Sequence, residues 1–168
     1  MRERVYTLIA WLVVIGALVW TLRWAYQEWS ASQPVPFNHK KHVDFGIACE
    51  TCHTGTRDAA KAGIPNVRTC GLCHVPGTPN PETPPALEQY ISEMKEIPWH
   101  QVYQVPPHVR FSHQRHVRMA GLDCKVCHGE IGRTKRALTR QIIPLNMENC
   151  LDCHRREKVT TDCLACHR

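Results

Sequence analysis

The sequence predicts a small, mostly irregular fold of short α-helices behind one long N-terminal helix, with a core that side chains alone do not fill. Three observations predict this fold class. An uncharged apolar run lies near the N-terminus, all 10 cysteines fall into five copies of one short motif, and the remaining chain combines 12 prolines with few long periodicities. The nature of the core therefore depends on what the five motifs bind.

The first segment, residues 1–32, is predicted to be a transmembrane anchor. From Val5 to Leu22 the chain runs for 18 residues without a charge, which is near the lower limit for a helix that spans a bilayer. Arg2 and Arg4 precede this run, whereas one basic and one acidic residue follow it closely. Because positive charge favours the cytoplasmic side, we expect a single pass through the inner membrane, with the rest of the chain on the periplasmic, extracytoplasmic side.

A cleaved signal peptide is the alternative interpretation of the same segment. Ser30, Ala31 and Ser32 provide small residues of the kind found at cleavage sites. They lie some ten residues beyond the end of the apolar run, farther than such a site normally does. A retained anchor is therefore the preferred interpretation, and both interpretations predict export of the rest of the chain.

Each of the five motifs has the form Cys-x-x-Cys-His, the signature of c-type haem attachment. The two thiols add to the two vinyl groups of one porphyrin, and the adjacent His reaches the iron as its proximal ligand. Zinc knuckles and disulfide frameworks also use paired cysteines, but neither requires a His directly after the second Cys. We therefore expect five haem c groups. The predicted attachment cysteines and proximal ligands are Cys49, Cys52 and His53; Cys70, Cys73 and His74; Cys124, Cys127 and His128; Cys150, Cys153 and His154; Cys163, Cys166 and His167.

Haem is expected to supply most of the buried apolar surface. Residues 33–168 would hold five haems, about one for every 27 residues, which leaves little chain for an ordinary core. The same residues carry 18 basic and 13 acidic side chains, a charge of +5, and the ten propionates of five haems would offset it. The net charge therefore gives no reason to expect nucleic acid as a partner.

An internal repeat divides the rest of the chain. Phe37-Asn-His-Lys-Lys-His42 precedes the first motif, Phe111-Ser-His-Gln-Arg-His116 precedes the third, and the two copies align onward through Ile64-Pro65 and Ile143-Pro144. Each copy holds two motifs and two extra His. The predicted segments are a first dihaem module at 33–74, a connector at 75–110 with a short helix near 86–94, a second dihaem module at 111–154, and the fifth motif at 155–168.

Low-spin electron-transfer haems need a second axial ligand, usually His or Met. His39 and His42 lie one helical turn apart, and so do His113 and His116, so each imidazole of a pair can serve a different haem. We predict these four as distal iron ligands. For the fifth haem, spacing alone leaves Met147, His100 and His108 as alternatives.

The Phe-x-His-x-x-His and Cys-x-x-Cys-His combination is similar to that of the class III multihaem cytochrome c family. More specifically, the chain resembles the pentahaem cytochrome c component of alternative complex III, through its anchor, both repeats, Ala62–Pro65, Ile97–Trp99 and the block Met147–Arg155. The resemblance favours Met147 as the fifth distal ligand. It implies a non-catalytic subunit that relays electrons from a quinol-oxidising assembly to a periplasmic cytochrome c or a terminal oxidase. Its implied partners are an iron–sulfur subunit of the molybdopterin type and polytopic quinol-binding subunits.

Other functions remain to be weighed against this one. A quinol dehydrogenase cytochrome that feeds a periplasmic reductase shares the single anchor and four or five haems, and it is the main alternative. A multihaem nitrite reductase is disfavoured because the chain is short and has no Cys-x-x-Cys-Lys motif. A freely diffusing electron carrier is disfavoured by the anchor.

Overall fold

The computed structural model describes residues 2–29, 32–78 and 83–167, and these separate into two units. The first unit is Met1–Ser32 and the second is Gln33–Arg168. The first consists of helix α1, Arg2–Trp29. Its 25 residues from Arg2 to Tyr26 contain an 18-residue window with a mean hydropathy of 2.2, so α1 is long and apolar enough to be a membrane anchor or a signal sequence.

The second unit consists of short helices joined by irregular segments. Its described residues contain no β-strand, only one isolated antiparallel bridge between Val109 and His167. The expected class of short helices and irregular chain is thus confirmed for the described residues. In chain order the helices are α2 (His39–Asp44), α3 (Cys49–Cys52), α4 (Val67–Cys70), α5 (Pro85–Ser92), a π-helical segment (Gln114–Met119), α6 (Lys125–His128), a 3-10 turn (Ile131–Arg133), α7 (Met147–Arg156) and α8 (Cys163–Cys166).

Asparagine and aspartate side chains fix where several of these short helices begin. The Asn38 side chain accepts a hydrogen bond from the backbone N–H of Lys41 at 3.0 Å, and Asn146 does the same for Asn149 at 2.9 Å. Such N-caps satisfy donors that a helix start leaves unpaired. They matter here because a four- to ten-residue helix is too short to be stable through its own backbone hydrogen bonds.

The apolar core is small and lies where α4 meets the segment predicted as a connector. Among the described residues, Val35, Val67, Leu87 and Ile97 are the buried hydrophobic side chains, each at most 6% exposed. The indole of Trp99 packs against them and donates a hydrogen bond from Nε1 to the carbonyl oxygen of Pro65 at 2.8 Å. The connector therefore contributes to the core, through α5 and the irregular segment that follows it.

The two Phe-x-His-x-x-His segments make equivalent contacts. Lys40 in the first donates its backbone N–H to the carbonyl oxygen of Thr134, and Gln114 in the second donates its own to Ala59, both at 3.0 Å. When the segments are aligned on their motifs, Thr134 and Ala59 occupy matching positions. Each segment thus donates a hydrogen bond to the chain that follows the other segment's motif, at matching positions. The two bonds are reciprocal, as in an isologous interface between two subunits.

The segments differ in helix type for a local reason. Seven positions separate His42 from Cys49, whereas eight separate His116 from Cys124. The second segment takes up its extra residue in a wider π-helical turn, closed by the hydrogen bond from the backbone N–H of Ala120 to Arg115 at 3.0 Å.

Candidate metal centres

Each Cys-x-x-Cys-His motif forms one turn of helix. In four motifs the backbone N–H of the His donates to the carbonyl oxygen of the first Cys at 2.8–2.9 Å, and the remaining motif lies within α7. Positions three apart in such a turn share one face, so both thiols are available to one ligand. All 10 cysteines are free thiols.

This donor set fits haem c better than it fits bare metal ions. A structural zinc ion needs four ligands of this kind. Within residues 2–29, 32–78 and 83–167, not even three His, Cys, Asp or Glu side chains lie close enough together to bind a metal ion. The thiols also form no disulfide. The residues of each motif would hold one haem through two thioether bonds and one imidazole, and bound haem supplies one-electron redox chemistry.

The predicted distal His are oriented through Nδ1. His42 donates from Nδ1 to the carbonyl oxygen of Asn38, and His116 to that of Ser112, both at 2.8 Å, while His113 donates to Ala60 at 3.2 Å. A carbonyl oxygen can only accept, so Nδ1 carries the hydrogen and Nε2 carries the lone pair. Nε2 is therefore the atom free to bind iron.

Two of the predicted proximal His are oriented in the same way. His53 donates from Nδ1 to the carbonyl oxygen of Gly63 at 3.0 Å, and His154 donates to Thr160 at 2.6 Å. His39, a predicted distal ligand, donates to the hydroxyl of Thr134 at 3.1 Å, and that hydroxyl donates onward to the carbonyl oxygen of Ile131 at 2.8 Å. The onward donation fixes the Thr134 hydroxyl as an acceptor for His39.

Phenylalanine side chains position the distal rings. Phe37 stacks on His42 with ring centroids 4.6 Å apart and meets His39 edge-on at 4.7 Å. In the other segment Phe111 stacks on His116 at 4.7 Å and meets His113 edge-on at 4.9 Å. These contacts explain why each segment begins with Phe, since one ring restrains both imidazoles.

Three of the predicted distal rings each face a predicted proximal ring. His42 lies opposite His74 with ring centroids 6.1 Å apart, His113 opposite His128 at 6.4 Å, and His116 opposite His154 at 6.2 Å. Two imidazoles that bind one metal ion from opposite sides, with bonds of roughly 2 Å each, have ring centres about 6 Å apart. The three separations therefore match an iron between each pair of rings.

His39 is the predicted distal ligand that belongs to none of these three pairs, and it lies close to His53. Burial, followed by the nearby imidazoles of His53 and His42, lowers the pKa of His39 to about 4. Burial likewise lowers the pKa of His128, with further contributions from His113 and His53. A buried imidazole is held neutral, and the neutral form is the one that binds a metal ion.

One cavity contains the sites of the first and third motifs together. Its lining includes Cys49, Cys52 and His53 from one motif and Cys124, Cys127 and His128 from the other, as well as both Phe-x-His-x-x-His segments. Tyr103 also lines it, meets His128 edge-on at 4.4 Å, and accepts a hydrogen bond from the backbone N–H of Ile142 at 2.8 Å. Sequence reasoning missed Tyr103 because it belongs to no repeat.

The three candidates for the fifth distal ligand lie in different places. Met147 is the first residue of α7, with a side chain 65% exposed, and its role as a ligand stays a prediction. His100 is tied through its backbone to the side chain of Gln33. The ring of His108 lies 5.5 Å from that of His167, with the two planes 20° apart.

In comparisons with known proteins, two family models match two different parts of the chain. Residues 22–104 match the model of the class III cytochrome c family, and residues 109–168 match that of cytochrome c7 and related cytochromes c. Over 188 aligned positions the chain is 32% identical to a protein from Nitratidesulfovibrio vulgaris named menaquinone reductase, multihaem cytochrome c subunit. The alignment covers 94% of this chain and 87% of that relative.

Proposed function

Since the chain belongs to the class III multihaem cytochrome c family, we propose that it is the electron-relay subunit of a menaquinone-linked membrane complex. Haem c bound covalently is a property of this family. The observation that carries the proposal is the facing of imidazole pairs at 6.1–6.4 Å. An iron with a His on both sides has no position left for a substrate, which suits electron transfer and not catalysis.

The proposal includes five haems, one for each motif, with His39, His42, His113 and His116 as distal ligands. Electrospray mass spectrometry of the purified protein tests the haem number, because thioether bonds survive denaturation. We expect the mass of the polypeptide plus five haems. The same spectrum tests whether α1 is retained as the anchor, since cleavage after Ser32 would remove its mass.

The direction of electron flow follows the relative. The name of the Nitratidesulfovibrio protein makes menaquinone the acceptor in that complex, and we carry this direction over. It reverses the flow expected from the resemblance to alternative complex III, which the comparisons do not support. The partners that we propose are a polytopic quinone-binding subunit, an iron–sulfur subunit of the molybdopterin type, and a periplasmic electron carrier.

The experiment uses the complex purified from native membranes in mild detergent. A reduced periplasmic cytochrome and a soluble menaquinone analogue are mixed with it anaerobically, and haem oxidation is followed by stopped-flow absorbance. We expect the haems to be reduced by the cytochrome and reoxidised by the quinone. Haems that are reduced by menaquinol and do not react with reduced cytochrome would contradict this direction.

A quinol dehydrogenase that feeds a periplasmic reductase is the second candidate, because the single helix α1 is also the anchor such a cytochrome needs. The two functions differ in where quinol reacts. The isolated holo-subunit in lipid nanodiscs, mixed with menaquinol, decides between them. Direct reduction without partner subunits supports the dehydrogenase, whereas a relay subunit reacts only within its complex.

A duplication of the dihaem module is also part of the proposal. The reciprocal bonds from Lys40 to Thr134 and from Gln114 to Ala59 support it. So do the matching Phe–His contacts of the two segments.

A further inference from the structure

We infer that His108 is the distal ligand of the fifth haem, opposite His167, so that a His lies on both sides of this iron as well. The inference rests on the proposed haem at Cys163, Cys166 and His167. It assigns to His108 the role that sequence reasoning gave to Met147. The argument uses backbone pairing, ring geometry and the positions of the competing side chains.

Backbone pairing brings His108 to the fifth motif. Val109 and His167 form an antiparallel bridge, and the N–H of Arg110 donates to the carbonyl oxygen of Cys166 at 2.7 Å. The residue next to this bridge is His108. A contact across nearly sixty residues of chain thus places one particular His beside the one motif that lies outside the two repeats.

A tight turn fixes the conformation of His108 before the haem is considered. The backbone N–H of Val109 donates to the carbonyl oxygen of Pro106 at 2.9 Å, and Pro106 and Pro107 restrict the backbone on the N-terminal side. Ordering this loop therefore costs little further conformational entropy when the ring binds iron.

Ring geometry agrees with the other centres. The His108 and His167 centroids are 5.5 Å apart, against 6.1–6.4 Å for the three pairs that involve predicted distal His. A shift of about half an ångström in an exposed loop brings the fifth pair to the spacing that an iron between two imidazoles requires. By the separation of ring centroids, four of the five predicted proximal rings thus face another imidazole. They are His74, His128, His154 and His167.

The other two candidates for the fifth distal ligand, Met147 and His100, lie near other motifs. Met147 begins α7, the helix that carries Cys150 and His154, and His154 already faces His116 at 6.2 Å. His100 lines the cavity shared by the first and third motifs, whose distal ligands are accounted for by His39 and His113. His108 is left as the imidazole that faces the fifth motif.

The test compares the full-length holo-protein with variants at the three positions. His108→Ala is expected to convert one haem in five from low-spin to high-spin in the ferric EPR spectrum, and added imidazole should restore it. His108→Met should keep all five low-spin, add a methionine–iron charge-transfer band at the red end of the absorption spectrum, and raise one haem potential. Met147→Leu and His100→Ala are expected to leave all five haems low-spin.

Three outcomes would overturn the assignment. They are five low-spin haems in His108→Ala, a methionine–iron band in the wild-type protein that Met147→Leu removes, or loss of one low-spin haem in His100→Ala. Mass spectrometry of each variant separates these results from a failure of the proposed function. Fewer than five haems in the wild-type protein would contradict the haem number itself, whereas a changed spin state with five haems present concerns only the ligand.

Discussion

At the scale of single residues, the orientation of each imidazole depends on what its Nδ1 atom donates to. Most of these acceptors are backbone carbonyl oxygens, which side-chain substitution does not remove. His39 differs, because its acceptor is the hydroxyl of Thr134 at 3.1 Å, and Nδ1 of His74 lies 3.5 Å from a second hydroxyl, that of Thr83. Donation from Nδ1 makes an imidazole a stronger ligand and favours ferric iron.

Replacing Thr134 by Val removes this acceptor while nearly preserving side-chain volume. We expect the potential of one haem to rise and the others to stay in place. A neutral hydrogen bond contributes about 1 kcal/mol, which for a one-electron couple corresponds to roughly 40 mV. Potentiometric titration of the holo-protein followed by EPR measures the shift.

Thr160→Val is the matched control for Thr134→Val. His154 donates to the backbone oxygen of Thr160 and not to its hydroxyl, so the potentials should be unchanged. Equal shifts in both variants would mean that the hydroxyl of Thr134 has no special role at His39.

The sequence predicts candidate haem-binding residues but not how their rings pair. The five motifs and the two Phe-x-His-x-x-His segments are patterns of a few consecutive residues, which can be recognised in a sequence. Which ring faces which is decided by contacts between distant segments, such as that between His39 and Thr134. From the sequence, His108 is only one of three alternatives for the fifth distal ligand. Its position depends on the bridge between Val109 and His167, which no local sequence pattern predicts.

At the scale of secondary-structure elements, α5 is the helix whose role the sequence underestimated. Its residues follow a proline-rich stretch that is typical of a linker, and the short helix near 86–94 was expected without a partner. In the structure Leu87 of α5 is 6% exposed and packs with Val67 of α4. The helix therefore holds the second motif, which begins at the end of α4.

Leu87→Ala tests this role of α5. Truncation of a buried Leu costs about 2–5 kcal/mol, so we expect a clear drop in the unfolding free energy of the holo-protein, measured by chemical denaturation. The Soret and EPR spectra of the native state should change little, because no distal ligand lies on α5.

Gln89→Ala on the same helix is the control. Gln89 is exposed, and among the described residues its side chain bonds only to that of Glu93, so its replacement should stay within about 0.5 kcal/mol of the wild type. A cost for Leu87→Ala as small as this would mean that α5 lies loosely on α4.

At the scale of the whole molecule, the described residues bury so little apolar surface that we expect the polypeptide not to fold alone. Four hydrophobic side chains are buried among the described residues, and the described cysteine and histidine side chains of the motifs are exposed or half-buried. Covalently bound haem would supply the missing surface, as metals or disulfides do in other small proteins.

Protein made without haem attachment is therefore expected to be unfolded beyond α1. Circular dichroism should show helix content close to that of α1 alone, with no cooperative thermal transition. Native-like helix content and a sharp transition in the haem-free protein would contradict this expectation.

The contacts between the two Phe-x-His-x-x-His segments and the residues after the other segment's motif also determine the order in which the haem sites can be completed. A ribosome makes the chain from the N-terminus, and Thr134 follows His39 by 95 residues. On export the first motif would cross the membrane before Thr134, so a haem attached to it would at first lack the Nδ1 partner of the predicted distal ligand His39. The first centre in the chain would thus be among the last to be completed, and a chain whose export stops before residue 134 would keep an attached haem with a loosely held axial ligand.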